Sequence, residues 1–194
     1  MPTARAGQNV RFIRLSFVAL VVVAAMLSGR NVHAQPVASE YQVKAAYLLN
    51  FARFVDWPAS VLPASSPMQI VIVGDDSFGG ALDEVLRGKT VNGHPIQLHH
   101  VHWDNVLTSY QIVFISASEE PHLAQIFHYL GNSSVLTVSD IDRFSLRGGA
   151  IEFRTVGNRV RFDINRTPAT NAQLTISSKL LSVARAIHEG DAAP

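Results

Sequence analysis

The chain has 194 residues, no cysteine, 16 Lys and Arg against 15 Asp and Glu, and 47% hydrophobic residues, enough for a core. Without cysteine, disulfides and CxxC redox chemistry are excluded and stability has to come from packing. Residues 1–34 hold Arg5, Arg11, Arg14 and Arg30 and no acid, so removing them leaves twelve basic against fifteen acidic side chains, a net charge of −3. No Lys/Arg cluster remains, which argues against nucleic acid as a partner.

That removal is expected. Three arginines precede the apolar run Leu15 to Leu27, and Val32 and Ala34 occupy the small-residue positions of a cleavage site. Residues 1–34 read as a signal peptide, and residues 35–194 as one exported domain of about 160 residues with a real core. An uncleaved N-terminal anchor is the alternative, although the run is short for a membrane span.

Ser39 with Gln42 is a capping box that predicts a helix running to about Asp56, where Pro58 stops it. MQIVIV (68–73) predicts a buried strand, followed by the turn GDDSFGG, in which Asp76 or Ser77 is the expected N-cap of the helix ALDEVLRG, closed by Gly88. HPIQLHHV (94–101) and YQIVFIS (110–116) read as strands. A helix follows between Ser118 and Gly131, then the strand SVLTVS. AIEFRT, a tight Gly157-Asn158 turn and RVRFDI form a hairpin. Ile176, Leu180, Val183, Ala184 and Ile187 mark an amphipathic C-terminal helix. The order predicts an α/β fold: one layered domain with a mixed, partly parallel sheet flanked by helices, then the hairpin and the terminal helix.

Chemistry-bearing patterns are weak. GDDSFGG is neither GxGxxG nor GxxxxGK, and Asp75 and Asp76 repel phosphate unless a cation intervenes. His100 and His102, with Asp104, could offer zinc three ligands, but no HExxH accompanies them; an exposed or edge-strand histidine cluster explains them as well. Ser77 lacks the first glycine of GxSxG, and Asp140 and Asp142 are explained by a turn. No catalytic residue, metal site or cofactor is assigned.

The first helix raises a different possibility. Tyr47, Phe51, Phe54 and Val55 share one face as core, yet Leu49 lies opposite with Ala45 and Ala52, so the helix is either fully buried or shared with a partner. Trp57 is either a cap over the helix end or an interface anchor. Arg159, Arg161 and Asp163 share one face of the hairpin strand.

VKAAYLLNFARFVDWP, IVIVGDD, VLTVSD, GGAIEF, RVRFDIN and ISSKLLSVA, in this order over about residues 40–187, resemble the YfiR family. The resemblance implies an exported α/β domain in the periplasm, commonly a homodimer. Such a domain binds the periplasmic region of a membrane-anchored diguanylate cyclase, represses it and lowers cyclic-di-GMP signalling and biofilm formation. A periplasmic small-molecule sensor for another signalling protein, with its own effector, is the alternative, and a metal-dependent hydrolase using Asp75, Asp76 or the histidines is a third reading. Two departures stand out: known repressors of the family are associated with disulfides, which this chain lacks, and Thr167-Pro168 interrupts a segment where relatives run into a helix. The polar residues that punctuate the resembling stretches nominate a partner- or ligand-binding group: Arg53 and Trp57 from the first helix, Asp163 and Asn165 from the hairpin, and Ser177 before the last helix, with Leu49 on the helix back.

Overall fold

Ser39 opens the first helix as its spacing to Gln42 predicts: in the computed structural model, which describes residues 39–189, the Ser39 side chain accepts from the Gln42 amide and the Gln42 side chain accepts from the Ser39 amide. The expected signal peptide lies outside the described residues. Helix α1 covers Glu40–Phe54, two residues short of expectation. Val55–Asp56 instead form a short strand β1, paired antiparallel with β9 (Thr175–Ile176). Pro58 disfavours helical geometry just before it, and the ladder to β9 gives the backbone of Val55 and Asp56 partners that a fraying helix end would lack.

Next come β2 (Met68–Val73), α2 (Ala81–Leu86), β3 (Thr90–Val91), β4 (His94–Val101) and β5 (Ile112–Ile115). The N-cap of α2 is Gly80, not Asp76 or Ser77. The Asp76 carboxylate is already used inside the loop, accepting from the Phe78 amide at 2.8 Å, so the helix starts only after Gly79 and Gly80 turn the chain at φ +55° and +86°. The single helix expected over 118–131 is a 3₁₀ turn, Ala117–His122, running into α3 (Leu123–Leu130). Pro121 has no N–H to donate and its ring obstructs the carbonyl four residues back, which prevents one continuous α-helix.

β6 (Leu136–Ser139) is followed by the hairpin β7 (Ile151–Val156) and β8 (Arg159–Asn165), joined by Gly157 and Asn158, both at positive φ. α4 (Arg166–Asn171) then forms in spite of Thr167-Pro168. Asn165 caps it through Thr167 N, and Pro168 falls in the first turn, where its missing N–H has no helical acceptor to lose. The C-terminal helix is shorter than its apolar stripe: α5 covers Ser178–Val183, Ile176 belongs to β9, and Ile187 belongs to β10 (Ala186–His188), which lies parallel to β8. The open edge of β8 offers residues 186–188 a ladder, and that outcompetes another helical turn.

The main sheet runs β10-β8-β7-β6-β5-β2-β4-β3, parallel from β4 through β7 and antiparallel at β7/β8 and β3/β4. Side chains alternate between its two faces. Ile70, Ile72, Ile112, Phe114 and Val138 meet α1 and α2 on one face, while Val71, Val73, Val113 and Ile115 meet α3 on the other. α1 docks through aromatic rings: Phe51 lies 5.7 Å from Phe153 and 5.1 Å from Phe162, and Tyr47 lies 5.2 Å from Phe162. From β2 the chain crosses to β4 on one side and then to β5 on the other, so the loops beyond the carboxyl ends of these strands diverge there. No described helix is long and apolar enough to cross a membrane.

Candidate functional site

Lys44 is the residue that least suits its position by composition, a lysine 2% exposed on the core side of α1. A buried ammonium requires partners, and it has three. Its Nζ lies 2.6 Å from Asp140 Oδ2 and 2.6 Å from Glu40 Oε1, and 4.2 Å from the centre of the Tyr41 ring. Tyr41 adds a hydrogen bond to the same Asp140 oxygen at 2.9 Å. Burial is the largest influence on Lys44 and pushes its pKa down, but the bonds to Asp140 and Glu40 outweigh it and hold the ammonium above its ordinary value. Burial, with Asp140 beside it, raises the Tyr41 phenol, so it stays a donor.

A second network adjoins this one. Glu152, 2% exposed on β7, accepts from Ser145 Oγ at 2.7 Å, from Ser145 N and Arg143 N at 3.0 Å each, and from Arg154 Nη1 at 2.8 Å. Arg154 Nη1 also reaches Asp142 Oδ1 at 2.6 Å. Burial pushes the Glu152 carboxyl up, and its bonds from Ser145 and Arg154 more than reverse that, leaving it below its ordinary value. The carboxylate also holds the turn after β6: Arg143 sits at φ +58°, a conformation that costs a non-glycine residue about 1 kcal/mol, with its N–H tied to Glu152.

Together these groups line a cleft of about 320 Å³ formed by the N-terminus of α1, the loop after β6 and the start of β7. It holds Lys44 and Arg154 against Glu40, Asp140, Asp142 and Glu152, every cation engaged by carboxylates. The shifts of Lys44 and Glu152 both lead away from neutrality, whereas a general acid or base needs a pKa drawn toward the working pH. For Lys44 and Glu152 the arrangement favours ion pairing and rigidity. Sequence reasoning took Asp140 and Asp142 for turn residues and passed over Lys44. The available signal was a lysine four residues before Leu48 and seven before Phe51, on the apolar face of α1.

The residues nominated from sequence separate into two neighbourhoods. Arg53, Trp57 and Ser177 gather around the β1/β9 ribbon: Ser177 N donates to Phe54 O at 2.9 Å, its side chain caps α5, and Arg53 is exposed beside Phe54. Trp57 is half-buried, and its Nε1 donates to Gln111 O at 3.2 Å, a bond that anchors the ring over the helix end. Asp163 and Asn165 lie buried in β8. Asp163 is held by Arg185 through Nε at 2.8 Å and through Nη2, and Asn165 donates to Ser145 O at 2.7 Å. No hydrogen bond joins the two groups among the described residues. Leu49 is buried with Ala45 and Ala52 in the main core, so the apolar back of α1 is covered within the chain itself. His100 is exposed at the end of β4 and His102 follows it, and no group of three His, Asp or Glu that could hold a metal occurs among the described residues.

The profile of the YfiR/HmsC-like family matches residues 41–185, nearly all of the described structure. The chain belongs to that family. Among solved structures, it is similar to a conserved domain protein from Vibrio cholerae O1 biovar El Tor at 11% identity and a TM-score of 0.53. The match covers 77% of this YfiR/HmsC-like chain and 60% of the Vibrio chain, a likeness of fold alone. No curated protein matches it.

Proposed function

We propose that this YfiR/HmsC-like chain is a periplasmic regulatory binding protein, exported by its signal peptide. It represses a membrane-anchored diguanylate cyclase through the cyclase's periplasmic region and so lowers cyclic-di-GMP synthesis and biofilm formation. The observation that carries this reading is the family match over residues 41–185. The charged cleft supports it, because its lysine and arginine are engaged by carboxylates and the shifts of Lys44 and Glu152 lead away from catalytic pKa values. The exposed Arg53, the half-buried Trp57 and the adjoining Ser177 form the surface proposed to meet the partner, with self-association as a homodimer proposed alongside.

A pull-down from detergent-solubilised membranes with the mature protein tests it. A transmembrane protein with a diguanylate cyclase output domain is the expected capture, and deleting this gene is expected to raise cyclic-di-GMP. Unchanged cyclic-di-GMP after deletion, with no membrane protein captured, rejects the proposal. The sensor reading would instead be favoured by a saturable ligand on the isolated protein.

A further inference from the structure

Another cleft among the described residues has the opposite character. It measures about 500 Å³ and lies between the loop after β4 and the outer side of α3, with Trp103, Asp104 and Asn105 on one wall and Gln125, His128 and Tyr129 on the other. Trp103 follows the carboxyl end of β4, and α3 follows β5, the two strands that flank β2. The cleft therefore lies on the α3 face of the sheet, beside the segment that carries the chain from β4 back past β2 to β5. Its volume is within the range of small-molecule pockets, roughly 300–1,000 Å³.

The Trp103 ring is held in place from beneath. It stacks on His122 with ring centres 4.6 Å apart and planes 15° from parallel. His122 Nδ1 is hydrogen-bonded at 2.9 Å to Glu119 Oε2, a carboxylate only 7% exposed. Gly74 makes room for that carboxylate: a Cβ there would sit 2.6 Å from Glu119 Cγ and 2.4 Å from Ser118 Oγ. The order of support is Gly74, Glu119, His122, Trp103, and it fixes an indole at the mouth of the cleft before anything binds, which lowers the ordering cost of binding. Across the cleft Tyr129 is 53% exposed, and Val106 beside the loop is 61% exposed, neither needed by the core.

The polar groups narrow the ligand. Among the described residues no Lys or Arg lines the cleft, and it carries the carboxylate of Asp104, so it offers phosphates, nucleotides and carboxylates no lysine or arginine counter-charge. Asn105 Nδ2 is spent on His102 O and Asp104 Oδ1, which fixes the loop and leaves the amide oxygen to accept. Asp104, Asn105 and Gln125 are flat side chains that hydrogen-bond hydroxyls, and Trp103 and Tyr129 offer apolar faces. A pyranose ring has this complement: C–H groups on its faces and hydroxyls around its rim. We propose that the cleft between residues 102–105 and α3 binds an uncharged saccharide, a site separate from the charged cleft and independent of the repressor reading.

Calorimetric titration of the mature chain with glucose, N-acetylglucosamine and their β-1,4-linked disaccharides tests this. At least one sugar is expected to bind saturably, with Trp103 fluorescence changing in step in a Trp57→Phe variant that leaves Trp103 as the sole indole. If that variant folds poorly, the calorimetry of the unaltered chain carries the test. Asn105→Ala combined with Gln125→Ala, both exposed positions, is expected to weaken binding by roughly tenfold or more. The proposal is overturned if none of these sugars binds saturably, if the double variant binds as well as the unaltered chain, or if only free indole or inorganic phosphate binds.

Discussion

Two of the clefts among the described residues solve opposite problems. The cleft on the α1 side buries charge and supplies every counter-charge from within the chain, whereas the cleft on the α3 side is walled by aromatic rings and amides, of which Tyr129 and Gln125 are exposed. A buried ion pair is weak evidence of net stability, but breaking one is expensive, because the remaining partner is left desolvated. The charged cleft is thus where the fold is most sensitive to substitution, and the aromatic cleft is where substitution is most free. Lys44→Ala should show the first half of that contrast most strongly: it strands Asp140, 12% exposed, and is expected to cost about 3 kcal/mol, roughly a 10 °C fall in Tm by calorimetry. Combining Lys44→Met with Asp140→Leu should recover most of that loss. If the recovered double variant still fails to engage a membrane partner, the cleft recognises as well as stabilises.

Glu152→Gln separates the two networks. It removes the charge that holds Arg154, Arg143 N and Ser145 and is expected to cost about 2 kcal/mol near neutral pH, less than the loss at Lys44. The pH dependence has a definite sign. Because the folded carboxyl lies below its ordinary value, its contribution is present above the unfolded pKa of about 4.3 and is lost as pH falls through the folded value. Lys44 works at the other end: its folded pKa is raised, so its contribution is complete below the unfolded value of about 10.4 and is lost as pH rises through the folded one. Urea midpoints against pH should show a plateau between these limits, with the acid limb flattened in Glu152→Gln. An unchanged acid limb would remove Glu152 from the account.

The strands and the α/β layering were legible because they rest on local patterns. MQIVIV and HPIQLHHV became strands at the predicted bounds, and the Gly157-Asn158 turn formed as its composition requires. Some departures were local, at the Gly80 cap and at Pro121, and the others fell where a tertiary partner overrode a local signal. Val55 and Asp56 left the helix for β9, and Ile187 left it for β8, because a waiting ladder satisfies backbone groups that a helix end exposes. The charged cleft was illegible for a related reason: Lys44 and Asp140 are 96 residues apart, and each alone reads as ordinary. Trp103 and His122 likewise come together only through the crossing of β2 to β4 and back to β5.

Trp57 lies between these extremes. Trp57→Phe keeps most of the packing and removes one bond, to Gln111 O, so about 1 kcal/mol of stability is expected to go, well short of Lys44→Ala. A weaker membrane pull-down at that small stability cost would give Trp57 a contact role, and an undiminished pull-down would leave it a cap over the end of α1.

The smallest effect belongs to the aromatic cleft. Tyr129→Ala removes a ring more than half exposed, with no aromatic stacking partner among the described residues, from the outer side of α3. Alanine is also a better helix former than tyrosine, which offsets part of what contact the ring does make. Thermal and urea midpoints are therefore expected to stay within about 0.5 kcal/mol of the unaltered chain. A loss above 1.5 kcal/mol would mean that Tyr129 supports α3 against the sheet, and the contrast between a self-satisfied cleft and an open one would then fail at the residue that states it most simply.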